Sequence, residues 1–425
     1  MGVFNADLHI HSLHSIGVSK SMTVPKIAEG ATLKGLDIVG TGDVTQPQWL
    51  SHLEKNLEEK EGELVHGQVS FTLTTEVEDS ESIHHLILLP DFEAVNELRK
   101  LLKPSSPNLD DDWGGRPRVN LSGESIAGSV RDVGGLIGPA HAFTPFRSIF
   151  RENRHESLQT CYGEETSHVH FLELGLSADS EIADCIPGLR RLTYISSSDA
   201  HSPSPNKLGR EYVQFEMKDA SFAELRLAIL REGGRRPTMN IGLDPRLGKY
   251  YLSFCSSCRR TVVVEEGDSA PSFDDLNIYV SVRNREEKRR LLRDIEKRVV
   301  KCPADGRPLR LGVRDRAELL GESESKSPRH RPPYLRIAPL LEIAASSLGV
   351  KSAKSKRVMA LYKEMVASMG PETMIVTDAP LEKIEEHNDR VARMIEAYRL
   401  GTVKYLAGGG GRYGALVPPW ESEEP

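Results

Sequence analysis

The sequence predicts an α/β fold in which a parallel sheet closes into a (β/α) barrel. Over the first 235 residues or so, short apolar stretches alternate with helical ones, a pattern typical of parallel strands joined by crossover helices. Metal-binding residue types follow several of the apolar stretches directly. Side chains at the carboxyl ends of many parallel strands converge on one point only when the sheet closes, which favours a barrel over an open sheet.

Local signals place the elements along the chain. Thr23 and Pro25 are typical of a helix start and Gly35 of a helix end, so a helix is predicted at 23–35. Further helices are predicted at 92–103 and 221–232. The predicted strands are 4–8, 36–40, 69–75, 85–89, 136–139, 169–174, 192–196 and 212–215.

Size and composition indicate a cytoplasmic protein of two or three domains. The 425 residues are 38% hydrophobic and 28% charged, which is ordinary for a globular chain. Two of the five cysteines, Cys161 and Cys185, are isolated, so we expect reduced thiols rather than a disulfide framework. The sequence shows neither a signal peptide nor an apolar run that would span a membrane, and we expect no membrane partner.

Composition divides the chain into four segments. We expect a catalytic barrel at 1–240, a Cys-bearing module at 245–320, a helical unit at 325–417 and a disordered acidic tail at 418–425. Helices are predicted in the third segment at 335–348, 354–369 and 380–398. The net charge is −7, but 326–417 holds 15 Lys and Arg against 9 Asp and Glu. That surplus fits either a polyanion contact or an ordinary solvated face.

Histidine and carboxylate residues form pairs that suit a metal site. His9 and His11 lie two apart and so share one strand face, with Asp7 placed to orient them. Asp199 and His201 form a second such pair. Glu76 and His141 also follow apolar strands. Each alone is weak, because a single strand histidine is usually a core residue, but their joint occurrence at strand ends indicates a shared metal centre.

The predicted ligands combine imidazoles and carboxylates without thiolates. This donor set suits two or three divalent ions such as Zn, Mn, Fe or Mg. Neighbouring ions activate a water and stabilise an in-line phosphoryl displacement. The sequence contains no Gly-rich phosphate loop of the Walker type, so hydrolysis is favoured over transfer from a nucleotide.

Several motifs resemble those of the polymerase-and-histidinol-phosphatase (PHP) superfamily. They are Asp-Leu-His-Ile-His-Ser at 7–12, Glu76, Pro-Ala-His at 139–141 and Ser-Asp-Ala-His at 198–201. More narrowly, Gly-Thr-Gly-Asp at 40–43 and the segment from Asp199 to Arg210 resemble the endonuclease Q family. The resemblance implies a distorted (β/α)7 barrel with a trinuclear site that nicks DNA 5′ to deaminated or abasic nucleotides.

The resemblance also implies roles for individual residues. Asp43 stands where many superfamily members have a ligand histidine. One of His84 and His85 is expected to be a ligand, with His85 preferred. Gln46-Pro47 replaces a histidine that is usual in the family, which puts metal number in doubt. The implied metal ligands are His9, His11, Asp43, Glu76, His85, His141, Asp199 and His201, with Asp199, His201, Glu76 and His141 as the catalytic group.

The Cys-bearing module contains two knuckle-like motifs. Cys255-Ser-Ser-Cys258 is followed 44 residues later by Cys302-Pro-Ala-Asp305. Four cysteines at this spacing indicate structural zinc, and Asp305 replaces the fourth. Two interpretations stay open. The residues form a Cys3Asp zinc site, or they are a knuckle motif that no longer binds metal and is held by packing alone.

Basic and aromatic residues are candidates for phosphate or DNA contacts. Lys207 and Arg210 follow the Asp-x-His pair closely enough to bind a scissile phosphate, or else to form surface salt bridges. In the helical unit, the candidates are Lys354, Arg357, Arg412 and Tyr413. The alternative for the Gly-rich run 408–411 beside Arg412 is a flexible loop.

Three functions are compatible with these motifs. The favoured one is a damage-selective DNA endonuclease, because a Cys module and a basic helical unit suit a large polyanionic substrate. The alternatives are a small-molecule phosphoesterase like histidinol phosphatase, and a non-catalytic nucleic-acid-binding scaffold whose metals only stabilise it.

Overall fold

The computed structural model describes residues 1–322 and 324–421, and its elements alternate as predicted through the first part of the chain. The strands are β1 Gly2–Asp7, β2 Ile38–Gly40, β3 Glu58–Lys60, β4 Glu63–His66, β5 Val69–Glu78, β6 His84–Leu89, β7 Leu136–Pro139, β8 Phe171–Glu173, β9 Thr193–Ile195, β10 Tyr212–Met217, β11 Arg236–Gly242, β12 Phe254–Cys255, β13 Thr261–Glu266, β14 Ser272–Phe273, β15 Asn277–Val282, β16 Leu309–Arg310, β17 Tyr334–Arg336, β18 Lys404–Leu406 and β19 Ala415–Val417.

The helices begin at capping residues that the sequence makes visible. Asp91 and Ser221 accept hydrogen bonds from the first turns of α3 (Phe92–Leu102) and α7 (Phe222–Leu230). Gly35 ends α1 (Val24–Lys34) with φ of 88°, which glycine adopts without strain. The helices are α1 Val24–Lys34, α2 Pro47–Asn56, α3 Phe92–Leu102, α4 Gly123–Asp132, α5 Leu158–Tyr162, α6 Ser180–Asp184, α7 Phe222–Leu230, α8 Arg285–Glu296, α9 Val313–Leu320, α10 Leu340–Ser347, α11 Lys356–Met369, α12 Glu372–Thr377, α13 Leu381–Glu385 and α14 Asp389–Arg399.

We call the segment predicted as the catalytic barrel, residues 1–240, the catalytic unit. Seven of its strands follow one another around it. Pairing leads from β1 through β2, β5 and β6 to β7, and β8 pairs with β9. Parallel bridges from Ile137 to Val169 and from Ile10 to Ala200 connect β8 and β9 to β7 and to the end of β1. The chain therefore has a mixed α/β fold.

The prediction of an all-parallel sheet is wrong. Within the seven strands, β6 runs antiparallel to both β5 and β7, because a short turn returns the chain directly after β5. Strands β10 and β11 extend the sheet beside β1 in antiparallel pairings. The first residue of β6 consequently lies at the same end as the last residues of the other strands.

The Cys-bearing module has its own small sheet and core. Its strands are ordered β14–β15–β13–β12–β16, and α8 packs on them through Leu292 and Ile295. The charged stretch around 281–301 thus forms an amphipathic helix with its polar face in solvent.

The C-terminal unit shares its core with the catalytic unit. Strand β17 overlaps the first residues of the segment predicted as helix 335–348 and pairs in parallel with β11. One apolar cluster includes Ile27 of α1, Tyr362 of α11 and Ile395 of α14. The predicted boundary near residue 325 therefore does not separate two independent cores.

Helix boundaries in this unit also differ from the prediction. The stretch predicted as one helix at 380–398 is divided into α13 and α14, because the Asn388 side chain caps a new helix by accepting from Val391 N–H. A tail without structure is predicted from residue 418, yet Pro419–Glu421 form a 3-10 turn with the Trp420 ring beside Arg390. Residues 422–425 of the predicted tail lie outside the described residues.

No helix in the described ranges combines the length and apolar character that crossing a bilayer requires.

A buried ion pair joins α1 to α12. Lys34 Nζ lies 2.6 Å from Glu372 Oε1, and both side chains are at most 3% exposed. Lys34 also donates to the Pro205 carbonyl, and Glu372 accepts from Leu340 N–H. Each charge therefore depends on its partner for compensation, since water does not reach either group.

We predict that Lys34→Met lowers the free energy of unfolding by about 3–5 kcal/mol, because it leaves the Glu372 carboxylate buried without a counter-charge. Urea titration followed by circular dichroism measures the loss. The matched control is Lys26→Met, whose partner Glu29 and own side chain are both 60% exposed; it should cost no more than about 0.5 kcal/mol. Equal losses for the two variants would contradict a structural role for the buried pair.

Candidate metal centre

Two groups of mostly buried ligand-type side chains meet at one end of the seven strands. The first contains His9 and His11, which follow β1, and Asp199, which follows β9. His11 Nε2 lies 3.2 Å and His9 Nε2 3.9 Å from Asp199 Oδ1. His9 and His11 lie just beyond β1, which ends at Asp7, and both rings face the same group.

The second group contains Glu76 near the end of β5, His84 at the start of β6 and His141 after β7. His84 Nδ1 and His141 Nε2 each lie 2.8 Å from Glu76 Oε1, and 3.2 Å from one another. Three donor atoms at such separations match the edges of a coordination polyhedron with bonds of about 2.1 Å.

Glu76 joins the two groups. Its Oε1 faces His84 and His141, while its Oε2 lies 3.4 Å from His11 Nε2. A carboxylate placed between two groups of imidazoles is the arrangement that a bridging ligand of a polynuclear centre requires.

Each of the four inner histidines is held at its other ring nitrogen. The outer partners are Glu173 for His9 at 2.9 Å, Asp43 for His11 at 2.9 Å, Glu78 for His84 at 3.3 Å and Thr144 for His141 at 3.1 Å. Metal-binding histidines typically have such a partner, which fixes the tautomer and the ring orientation.

The inner nitrogens of His9 and His11 are the clearest sign of a missing ligand. Both Nε2 atoms are buried, and neither has a hydrogen-bond partner. A buried ring nitrogen without a partner is costly unless it binds something. Divalent metal ions fit these atoms, because the outer contacts already direct the free nitrogens toward the carboxylates of Glu76 and Asp199.

The buried carboxylates of the site favour the binding of positive charge. Burial alone would lower the pKa of His9, but the carboxylates of Glu173, Glu76 and Asp199 raise it to about 9. Burial alone would raise the pKa of the Glu76 carboxyl, but His84, His141 and His9 hold it well below its usual range. Protons and metal cations therefore compete for the same imidazoles.

Backbone geometry is unusual at three of these residues. Asp43, His141 and Asp199 have φ of 48°, 31° and 49°, a region that residues other than glycine seldom adopt. Such conformations persist where the surroundings impose them, and they concentrate at functional sites.

Two predicted ligands occupy other positions. His85 lies on the opposite face of β6, where its ring contacts Tyr162 Oη at 2.8 Å and Asp79 at 3.0 Å. In the antiparallel register His84 is opposite Glu78, so His84 and not His85 faces the centre. Asp43 contacts the outer nitrogen of His11 and accepts from Ser12, and so orients a ligand.

Asp7 does not orient the histidines either. It accepts hydrogen bonds from Ser198 N–H and Oγ–H and from Gly209 N–H, which fixes the loop that carries Asp199. Desolvation by burial raises the pKa of Asp7 to about 6 despite these hydrogen bonds.

Sequence reasoning missed Glu173 and Arg116. Glu173, fully buried at the end of β8, contacts His9 and accepts from His141 N–H at 2.7 Å. Its signal was an acidic residue in an apolar strand. Arg116 Nη1 lies 3.1 Å from Glu76 Oε2 and approaches from a loop. The preceding Gly115 packs against Ser15 and Asp43, where a Cβ would clash.

His201 lies at the rim of the first group. Its Nε2 is 3.6 Å from Asp199 Oδ1, and its side chain is 44% exposed. It is accessible to a substrate, whereas the inner histidines are not.

Some of the predicted phosphate-binding residues are exposed, and others are partly buried or hydrogen-bonded within the protein. Lys354 and Arg357 are exposed at the start of α11. Arg210 donates to the Ser198 carbonyl, and the side chains of Arg210 and Lys207 are both half-buried. The predicted role of Lys207 and Arg210 at a scissile phosphate stays a prediction.

The glycine-rich run is packed rather than flexible. Arg412 donates to the Leu276 carbonyl at 2.8 Å, and Gly410 lies so close to the Arg259 carbonyl that a Cβ would clash. This loop therefore docks the C-terminal unit on the Cys-bearing module. Tyr413 stays 72% exposed beside Lys249, in a position open to a ligand.

The four predicted zinc ligands come together. Cys255 Sγ lies 3.5 Å from Asp305 Oδ1, and Cys258 Sγ lies 3.6 Å from Cys302 Sγ. A tetrahedron with Zn–S bonds of about 2.3 Å has edges of about 3.8 Å. The donor set therefore fits a zinc ion, with Asp305 as the fourth ligand.

Comparison with known proteins identifies similar chains. Residues 339–402 match the family described as the MJ0043 C-terminal domain. The lesion-specific endonuclease PfuEndoQ from Pyrococcus furiosus has a solved structure that is 41% identical, covers 100% of this chain and 98% of its own, and superposes with a TM-score of 0.86.

Two further proteins are similar. A structure of endonuclease Q with a 27-mer duplex substrate, whose abasic lesion lies at the active site, gives 41% identity, the same coverage and a TM-score of 0.85. The protein MJ0043 of Methanocaldococcus jannaschii is 33% identical over 287 residues, which are 66% of this chain and 32% of that protein. This chain thus spans about a third of that relative's length.

We predict that His84→Gln lowers the metal content of the protein and that His85→Gln does not. His84→Gln should remove bound metal from the catalytic unit, because it deletes a ligand beside Glu76 and His141. His85→Gln should keep the metal but lower the melting temperature, because it breaks a buried contact with Asp79. Elemental analysis after dialysis and a thermal melt separate the two. Retention of all metal by His84→Gln would contradict the assignment.

Proposed function

The chain belongs to the endonuclease Q family of lesion-specific DNA endonucleases, and we propose that it hydrolyses the phosphodiester bond 5′ to a deaminated or abasic nucleotide. The proposed lesions are uracil, hypoxanthine, xanthine and the abasic site. The relative that was solved with an abasic duplex at its active site supports the last of these. We also propose that the seven linked strands form the distorted (β/α)7 barrel that the sequence motifs imply.

The observation that carries the proposal is the set of four inner histidines. Each has one ring nitrogen fixed by an outer partner and the other directed to the space around Glu76 and Asp199. We propose that His9, His11, Glu76, His84, His141, Asp199 and His201 hold two or three divalent ions. Bound there, such ions would polarise the phosphate and lower the pKa of a water molecule.

The chain's own residues have distinct tasks around that centre. Glu173 and Asp43 hold the rings of His9 and His11, so the ligand geometry is set before substrate arrives. Arg116 brings a guanidinium to the edge of the centre, where its N–H groups are placed to donate to a phosphate oxygen. Exposed His201 at the rim is placed to complete the ligand set of an ion beside Asp199, on the side that substrate can reach.

Exposed basic residues supply a surface for the DNA backbone. Lys354 and Arg357 lie in the segment 326–417, where basic residues outnumber acidic ones by 15 to 9. Each phosphate contact releases counterions, so binding should weaken steeply as salt rises. The exposed Tyr413 ring is available for stacking on a base.

The alternatives have less support. A small-molecule phosphoesterase needs neither the Cys-bearing module nor a basic surface, and the similarity to PfuEndoQ covers the whole chain. A non-catalytic scaffold gives no purpose to His201, whose side chain is accessible at the rim of the metal centre. All five cysteines are free, which accords with the proposed cytoplasmic location.

The experiment is a nicking assay on labelled duplexes that carry one uracil, hypoxanthine or abasic site, with an undamaged duplex as control. Metal-loaded protein should give one nick on the 5′ side of the lesion, and none in the undamaged duplex. Asp199→Asn, which retains volume but removes a ligand charge, should nick at least about 100-fold more slowly. Efficient hydrolysis of small phosphate esters without any nicking of damaged DNA would refute the proposal.

We predict that Arg116→Ala lowers the single-turnover nicking rate by about 100-fold or more, because one charged donor to the reacting phosphate is lost. Arg116→Lys should recover only part of the rate, since an ammonium lacks the forked geometry. Metal content should not fall, which separates this effect from damage to the centre. A normal rate for Arg116→Ala would exclude the phosphate role.

A further inference from the structure

Two apolar side chains are exposed on the loops that border the metal centre. Trp113 is 57% exposed and Ile16 is 77% exposed. Ile16 follows His11 by five residues, and Trp113 precedes Arg116 by three. Because three residues span at most about 10 Å, the backbone of Trp113 lies within that distance of the backbone of Arg116, whose side chain we place at the phosphate.

The loop that carries Trp113 is held firmly. Gln48 Nε2–H donates to Asp112 Oδ1 at 2.6 Å, and Gln46 Nε2–H donates to the Asp111 carbonyl at 3.2 Å. Gly114 N–H also donates to the Asp111 carbonyl, which closes a turn over residues 111–114 that contains the tryptophan. The exposure of the indole is therefore imposed by an ordered loop.

The two loops are also joined to each other. His14 Nδ1–H donates to the Asp112 carbonyl at 3.1 Å, and Gly115 N–H donates to the His14 carbonyl at 3.2 Å. Ile16 and Trp113 consequently belong to one rim, which we call the apolar rim. It is continuous with the metal centre through His11 and Arg116.

The third exposed apolar side chain near the centre has a different environment. Phe146 is 55% exposed, but its ring contacts the edge of Tyr250 at 5.7 Å between centroids. It belongs to the contact between the catalytic unit and the Cys-bearing module. The apolar rim lacks such a covering.

Duplex DNA offers an apolar surface of the right kind at a lesion. Extruding one nucleotide leaves a gap that is lined by the faces of the neighbouring bases, and proteins that kink DNA fill such gaps with apolar side chains. An indole stacks on any base, so this contact is independent of sequence. A weakly stacked lesion opens the gap at the least cost.

We propose that Trp113, with Ile16 beside it, fills the base stack vacated by the damaged nucleotide while Arg116 binds that nucleotide's phosphate. The proposal rests on the proposed endonuclease function and adds the residue that makes it selective for lesions in duplex DNA. Trp113 is on this account a specificity-determining residue and not a catalytic one.

The test compares Trp113→Ala and Trp113→Phe with the parent protein on a uracil-containing duplex and on the same strand alone. A single strand has no vacated stack. Trp113→Ala should therefore lower the nicking rate on duplex by about 10- to 100-fold, and the fold-loss on single strand should be smaller by a factor of at least about five. Trp113→Phe, which retains a stacking ring, should recover most of the duplex rate. The matched control is Phe273→Ala, which removes from the Cys-bearing module a ring whose exposed fraction (49%) is similar to that of Trp113 (57%).

A binding measurement keeps the proposal testable if the parent protein does not nick. Fluorescence anisotropy gives the ratio of dissociation constants for undamaged and abasic duplex. Trp113→Ala should reduce that preference at least fivefold with little change for undamaged duplex. Equal losses on duplex and single strand, or an unchanged preference for the abasic duplex, would overturn the proposal. If the parent protein does not nick but its preference for the abasic duplex depends on Trp113, the endonuclease function is refuted while the proposed role of Trp113 stands.

Discussion

The position of Glu76 is the constraint around which the catalytic end is built. A carboxylate at 1% exposure is tolerable only when positive charge compensates it, and here four imidazoles and one guanidinium surround it. The imidazoles in turn are held by outer partners, which are carboxylates for His9, His11 and His84 and the Thr144 hydroxyl for His141. The result is two concentric layers of polar groups, in which the inner donors converge and the outer ones fix orientation.

That arrangement explains why so many polar residues lie at one end of an otherwise apolar unit. Each ligand lies near the end of a strand or just beyond it, and the strand pairing brings together residues that are far apart in sequence, such as Glu76 and His141. The strained backbone at His141 and Asp199 shows that the loops adapt to the centre rather than to local preference. A polar network of this kind is stable only when every member has its partner.

The sequence predicts those features that depend on local pattern. His9 and His11 follow from strand alternation, and Asp199, Glu76 and His141 follow from their positions after apolar stretches. His84 could not be separated from His85, because the answer depends on the antiparallel direction of β6, which is set by its partners. Glu173 contacts His9 across 164 positions and Arg116 reaches Glu76 across 40, and no local signal encodes such contacts. The last residues of strand β17 likewise fall in a segment that the sequence predicts as helix.

The central claim is that Glu76 joins two ligand groups into one polynuclear centre, and anomalous diffraction from crystals soaked in Mn²⁺ tests it most directly. The account predicts anomalous peaks on both sides of Glu76. One should lie between His9, His11 and Asp199, and the other between Glu76, His84 and His141. A single ion that contacts neither oxygen of Glu76, or the absence of any peak at this end of the strands, would contradict it.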